Sequence, residues 1–272
     1  MNRRLRFARL SNGNLQHNDL HAFAHRRALA VYGISAVYTY IPKNACSTLR
    51  YSLAIHNGYL WPGDDPEWIH ENNATFVADR RLLAEAAYTF VVLRCPYRRL
   101  VSAYLDKVVG ASVLARVLVA RSNAPEDLEA VTAGDLHALS FADFARICLS
   151  PPSGAIDSHW YPQVNCLVYE DYDDWFSVEA FDKATETLAR RGLAVHDTRD
   201  RIAHSTAGLD KIGGDFAKVP AGEIYRMRQA GKVPHYESLY DEETRAVVAE
   251  NYASDIALYR DKLGPEGLMF AD

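Results

Sequence analysis

Six consecutive residues, Tyr88-Thr89-Phe90-Val91-Val92-Leu93, are β-branched, aromatic or aliphatic and carry no charge. A strand with one wet face alternates apolar and polar positions. This one does not alternate, so it reads as a strand buried on both faces, as in a parallel sheet covered by helices. It ends in Arg94, and Pro96 follows two residues later. Proline is well suited to the first position of a helix, and Leu100, Ala103, Tyr104 and Lys107 then fall on neighbouring helical rows. Arg94 therefore stands at the carboxyl end of a buried strand, the end at which open α/β sheets bind ligands.

A second stretch has the same grammar. Tyr38-Thr39-Tyr40-Ile41 is β-prone, Pro42 breaks it, and Leu49, Leu53 and Ile55 recur at helical spacing. The reading is strand, tight turn, helix start. A helix start offers unbonded N–H groups and the positive end of the helix dipole, which favours an anion. The turn adds Lys43 and the hydroxyls of Ser47 and Thr48. Those hydroxyls would equally serve as ordinary helix caps. The pattern is not that of a nucleoside-triphosphate P-loop, because G-x-x-x-x-G-K-[ST] is missing and the lysine precedes the helix.

The formal charge of −5 argues against a general nucleic-acid binder. An anionic ligand must then be held by a local cluster of cations, for which Lys43, Arg50, Arg94, Arg98 and Arg99 are candidates. The 272 residues, 49% apolar, are those of an ordinary globular chain. With no linker or repeat to divide it, one domain over residues 1–272 is expected, residues 1–30 being a polar, partly flexible lead-in. No signal-peptide core and no apolar run long enough to span a membrane is visible. Cys46, Cys95, Cys148 and Cys166 form no C-x-x-C pair, so they read as packing residues, and no metal is called for.

Elsewhere, 28–41 reads as a lead-in to the first strand, 58–65 as a loop and 80–87 as a short helix. Residues 108–119 continue the helix begun at Pro96 until Asn123-Ala124-Pro125 breaks it. Ser140-Phe141-Ala142-Asp143 is a helix-start box. A third strand is expected over 166–169, an amphipathic helix over 178–191, a connecting or closing segment over 205–218, and an interrupted helix over 241–260.

Four stretches, in order, resemble the carbohydrate sulfotransferases that use 3′-phosphoadenosine-5′-phosphosulfate (PAPS). Pro42-Lys43-Asn44-Ala45-Cys46-Ser47-Thr48 is similar to their 5′-phosphosulfate loop. Arg94-Cys95-Pro96-Tyr97-Arg98-Arg99-Leu100-Val101-Ser102-Ala103-Tyr104 is similar to their 3′-phosphate motif, with Cys95 where Asp is usual. Asp157-Ser158-His159-Trp160-Tyr161-Pro162-Gln163 and Leu239-Tyr240 with Tyr252-Ala253-Ser254-Asp255 complete the set. The resemblance runs from about Val37 to Tyr259. It implies an α/β, P-loop-like three-layer fold, a central mostly parallel sheet flanked by helices. It also implies sulfuryl transfer from PAPS, leaving 3′-phosphoadenosine-5′-phosphate (PAP), to a hydroxyl of a carbohydrate or other small-molecule acceptor. Many animal members carry a Golgi membrane anchor. The resemblance therefore implies a bacterial-type cytoplasmic enzyme here, or a Golgi-lumen one if an anchor has been removed.

The roles it assigns are specific. Asn44, Ala45, Cys46, Ser47 and Thr48 grip the 5′ phosphosulfate through N–H groups and hydroxyls, and Lys43 steadies charge on the breaking bond. Arg94 and Ser102 hold the 3′ phosphate. His159 is the candidate general base, ahead of His70 and Glu85, with Trp160 beside it as an aromatic face for a sugar. Two other classes stay open: a nucleotide-dependent kinase or phosphotransferase on a related sheet, and a non-catalytic anion- or glycan-binding protein.

Overall fold

The computed structural model describes residues 3–110, 133–149, 157–198, 201 and 208–270. Expectations that fall on residues 111–132, 150–156 and 202–207 lie outside the described residues. These include the helix continuation over 111–119, its break at Asn123–Pro125 and the start of the segment over 205–218; residues 108–110, which are described, form a turn and do not continue the helix, which ends at Lys107. The chain forms two compact units, each assembled from separated stretches. One comprises Met1–Cys95, Tyr161–Ile202 and Ala257–Gly267; the other comprises Pro96–Trp160, Ala203–Ile256 and Leu268–Asp272.

The first unit is mixed α/β. Strands β1 (Ala28–Val31), β2 (Ala36–Thr39), β3 (Tyr88–Leu93) and β4 (Asp174–Ser177) form one sheet in sequence order. β2, β3 and β4 are mutually parallel, and β1 is added antiparallel, with Ala28 opposite Thr39. Every residue of β1, β2 and β3 is buried, as the unalternating pattern of β3 requires. Tyr88, Phe90 and Val92 project to one face, where Tyr38 stacks on Phe90 at 4.9 Å between ring centroids. Helix α1 is Asp19–His25, α2 is Cys46–His56, α3 is Trp68–Glu71 and α4 is Arg80–Glu85. Leu49 and Leu53 of α2, with Leu188 of the later helix Phe181–Arg190, cover that face of the sheet.

Two expectations change here. The 28–41 stretch is not one strand with a lead-in but the pair β1 and β2. They are joined through the 3-10 turn Tyr32–Ile34 and Ser35 at φ 48°. The third parallel strand is not 166–169 but Asp174–Ser177. The Val168 and Tyr169 N–H groups donate to the Tyr172 hydroxyl, at 3.1 and 3.4 Å, so a side chain takes the place of a ladder partner. Tyr169 makes only an isolated bridge to Leu5.

The lead-in is tied to the sheet. Arg3 reaches Asp173 at 2.7 Å and the Ala86 carbonyl at 3.1 Å, and Asp173 also accepts from the Thr89 N–H and hydroxyl at 2.7 and 3.0 Å. Burial pushes the Asp173 carboxyl up, but these bonds and the Arg3 charge outweigh it and hold its pKa below the usual carboxylate range. The stability it contributes is present above the unfolded-chain value of about 3.9 and is lost as pH falls through the lower folded value. Asp173 is exposed and its ion pair is screened by water, so Asp173→Asn should cost about 1 kcal/mol or less at neutral pH and flatten the acid limb of the stability curve. Urea melts of both proteins between pH 3 and 7 check this, and parallel curves would refute it.

In the second unit, α5 (Pro96–Lys107) begins at the proline as expected. The short α6 (Ala133–Ala138) precedes α7 (Phe141–Leu149). Ser140 and Asp143 make a reciprocal start box: the Asp143 N–H donates to the Ser140 hydroxyl at 3.2 Å, and the Ser140 N–H to the Asp143 carboxylate at 3.2 Å. Tyr104, Phe141, Phe144 and Trp160 form the aromatic centre of this unit. Strands β5 (Asp210–Ile212) and β6 (Lys232–Pro234) pair in parallel. The expected interrupted helix is Glu242–Asn251 in this unit followed by Ala253–Leu263, of which the residues from Ala257 on are counted with the first unit. Among the described residues, no helix is long and apolar enough to cross a membrane.

Candidate functional site

The loop that carries Lys43 leaves β2 at Tyr40. The Asn44 N–H donates to the Ile41 carbonyl at 3.1 Å, closing a turn with Pro42 and Lys43 at its centre. Lys43 (φ 70°) and Ala45 (φ 55°) are both left-handed, a conformation that costs a residue with a Cβ about 1–2 kcal/mol. Ala45 is the N-cap of α2 and has no side chain to cap it. Lys43, Ala45, Cys46 and Ser47 form a half-buried rim, whereas Asn44 and Thr48 are buried. The result is a helix start without a side-chain cap, entered through a constrained turn with a lysine on it, the arrangement that receives an anion.

Arg94 is brought to this loop. Its guanidinium Nη1 donates to the Lys43 carbonyl at 2.8 Å. Its peptide is gripped by the side chain of Gln163. The Arg94 N–H donates to Gln163 Oε1 at 3.0 Å, and Gln163 Nε2 donates to the Arg94 carbonyl at 2.9 Å. The same Oε1 accepts from Asn44 Nδ2 at 2.6 Å, and Asn44 Nδ2 also donates to the Val92 carbonyl at 2.9 Å. Lys43 through Thr48 and Arg94 are thus assembled at the carboxyl ends of β2 and β3.

Other expected residues are committed elsewhere. The Asn44 N–H and amide nitrogen serve the loop itself, so Asn44 holds the turn instead of offering that N–H outward. Thr48 Oγ1 lies 3.0 Å from Thr198 Oγ1 in a buried contact, which leaves Ser47 as the half-exposed hydroxyl of the pair. Arg50 is buried, donating to the Ile69 carbonyl and Asn73, and its charge braces α2 against α3. The Cys95 thiol is buried, and the Cys95 N–H donates to Glu179 Oε1 at 3.1 Å. The carboxylate of this turn therefore comes from another part of the chain.

In the second unit, Ser102 is half-buried on α5. His159 Nδ1 lies 2.5 Å from Asp157 Oδ1, which also accepts the His159 N–H at 2.8 Å. Burial raises the Asp157 pKa, but the hydrogen bonds and charge of His159, with Lys107, outweigh it and keep the carboxyl below its ordinary range. A carboxylate on Nδ1 fixes which ring nitrogen carries the proton, so Nε2 is the nitrogen suited to accept one. Arg99, 2% exposed, donates to the Ser158 carbonyl at 3.0 Å and braces this loop.

Trp160 does not offer a face to a sugar. It is 4% exposed, packs edge-on against Phe144 at 5.6 Å, and its carbonyl accepts from the Tyr252 hydroxyl. Tyr240 likewise donates to the Tyr97 carbonyl at 2.9 Å, so the closing motif builds the packing around the start of α5. The other base candidates are exposed surface groups: His70 lies 4.0 Å from Glu67, and Glu85 pairs with Arg81 at 2.9 Å. Glu85 also precedes β3, roughly 20 Å from Arg94 along a six-residue strand.

Sequence reasoning passed over Gln163, Asp157 and Glu179. The first two sit inside the stretch that carries His159, where an amide and a carboxylate beside a histidine were the available signal. Nothing marked Glu179. Among the described residues, no group of three or more His, Cys, Asp or Glu side chains is arranged to hold a metal.

A family model for the sulfotransferase family matches residues 33–260, a span that takes in the Lys43–Thr48 loop, Arg94 and His159. Searches of curated proteins and of solved structures returned no match. With the mostly parallel sheet and the loops at its carboxyl ends, that match establishes that the chain belongs to the sulfotransferase family.

Proposed function

We propose that this sulfotransferase takes its sulfuryl group from PAPS and transfers it in line to a hydroxyl of a carbohydrate, glycosylated or small-molecule acceptor. The observation that carries the reading is the tie between the loops: the Arg94 guanidinium lies on the Lys43 carbonyl, beside a helix start that no side chain caps. The donor set fits two anionic groups on one ligand. Cys46, Ser47 and Thr48 bring first-turn N–H groups and the Ser47 hydroxyl to the 5′ group. Lys43 supplies a compact positive charge where the leaving oxygen becomes anionic. Arg94 gives a forked contact to the 3′ phosphate. Ser102 and His159 enter on the motifs they occupy, Ser102 as a further hydroxyl for that phosphate and His159 as the base that takes the acceptor proton at Nε2. Bound PAPS supplies the activated sulfuryl group, and the protein's part is placement and charge stabilisation.

Thermal unfolding with PAP, ADP and AMP at matched concentrations tests the cofactor. A ligand at a hundred times its dissociation constant stabilises by about 2.7 kcal/mol. PAP should raise the melting temperature well beyond ADP or AMP. Equal shifts with PAP and ADP would replace PAPS by a generic nucleotide, and no shift with any of them would point to binding without this cofactor.

A further inference from the structure

The parallel ladder of β3 stops at Leu93, opposite Ser177, and its pairing to β2 stops at Val91, opposite Thr39. Beyond those points no strand among the described residues holds the two loops in register. Two side-chain amides take over. Asn44 reaches from the first loop to the Val92 carbonyl and to Gln163, and Gln163 closes on both the N–H and the carbonyl of Arg94 as a neighbouring strand would. Gln163 is 1% exposed and stands at the head of the 3-10 helix Gln163–Cys166. Its amide oxygen is shared between the two loops, and its amide nitrogen completes the clamp on one of them.

We propose that Gln163 is a positioning residue that sets the spacing between the Lys43–Thr48 loop and Arg94, and so makes a ligand with two phosphates bind better than either phosphate alone. The inference rests on the PAPS reading above. A bisphosphate gains from both loops at once only when their separation is fixed beforehand; otherwise ordering one loop against the other opposes binding. A primary amide suits the position because it supplies an acceptor and a donor to the Arg94 peptide with no net charge. A carboxylate there would keep the two accepting contacts, lose the donation to the Arg94 carbonyl, and set a negative charge beside loops that receive anions.

The test is calorimetric titration of wild type, Gln163→Met and Gln163→Glu with PAP, AMP and adenosine 3′-monophosphate, after melting curves confirm folding. Wild type should bind PAP well above the better monophosphate. In both variants PAP should weaken by about tenfold or more while each monophosphate weakens by less than about threefold, because the loss falls on the coupling between loops. If a variant fails to fold, Asn44→Ser cuts the same bridge from the other side and is held to the same pattern. Equal weakening of all three ligands, or an undiminished PAP advantage, overturns the role of Gln163 while leaving the cofactor reading intact. A wild type that binds PAP no better than AMP overturns both.

Discussion

Lys43→Ala is expected to lower the rate of sulfuryl transfer by about 10²–10³-fold, the usual cost of removing one group aimed at charge developing in a transition state. PAP binding should weaken by much less, about tenfold at most, because the Arg94 contact and the helix start remain. The geometry makes this a clean experiment. Arg94 bonds to the carbonyl of residue 43, not to its side chain, so the link between the loops survives the substitution. The backbone at 43 stays left-handed, and alanine meets the same steric cost there as lysine. What changes is the ammonium group. Single-turnover transfer from PAPS, paired with PAP titration, separates chemistry from binding; unchanged turnover would remove Lys43 from the catalytic role.

Arg94→Ala should do the reverse, weakening PAP by about 10²-fold, since charge-assisted hydrogen bonds are each worth about 1.5–3 kcal/mol. AMP, which lacks a 3′ phosphate, should be much less affected. The peptide of residue 94 remains clamped by Gln163, so the loss comes from the guanidinium and its contact to Lys43, not from collapse of the strand end. Arg94→Lys keeps the charge without the fork and should fall between alanine and wild type. Titrations of PAP and AMP against the three proteins decide it. A PAP affinity within threefold of wild type in Arg94→Ala would show that the 3′ phosphate, if read at all, is read elsewhere.

Much of the frame was legible because it is local. The unalternating run at Tyr88–Leu93 had to be buried on both faces, and it is an interior strand of the sheet. Pro96 had to open a helix, and Ser140 with Asp143 had to start another. The strand at Asp174–Ser177 was not legible. Its four residues alternate weakly, and only Phe176 joins the core cluster, while the more apolar 166–169 stretch gives its backbone donors to Tyr172. Strand pairing depends on which chain is adjacent, and periodicity cannot report that. Trp160 shows the same limit: an aromatic beside a histidine reads as a sugar platform until packing turns it into the core.

The strand–turn–helix segments that carry Lys43–Thr48 and Arg94, and the family they point to, could be read from the chain alone, because turn chemistry, helix starts and buried strands are written in neighbouring residues. Which of the cations lie at those loops depends on packing that brings distant residues together. Arg94 lies on the Lys43 carbonyl, whereas Arg50 turns to Ile69 and Asn73, and Arg99 to Ser158. The tertiary structure also revealed Gln163, which joins Asn44 across 119 residues and Arg94 across 69. A hydrogen bond between residues so far apart leaves no periodic trace in the chain, since it exists only once the sheet has brought its strand ends together.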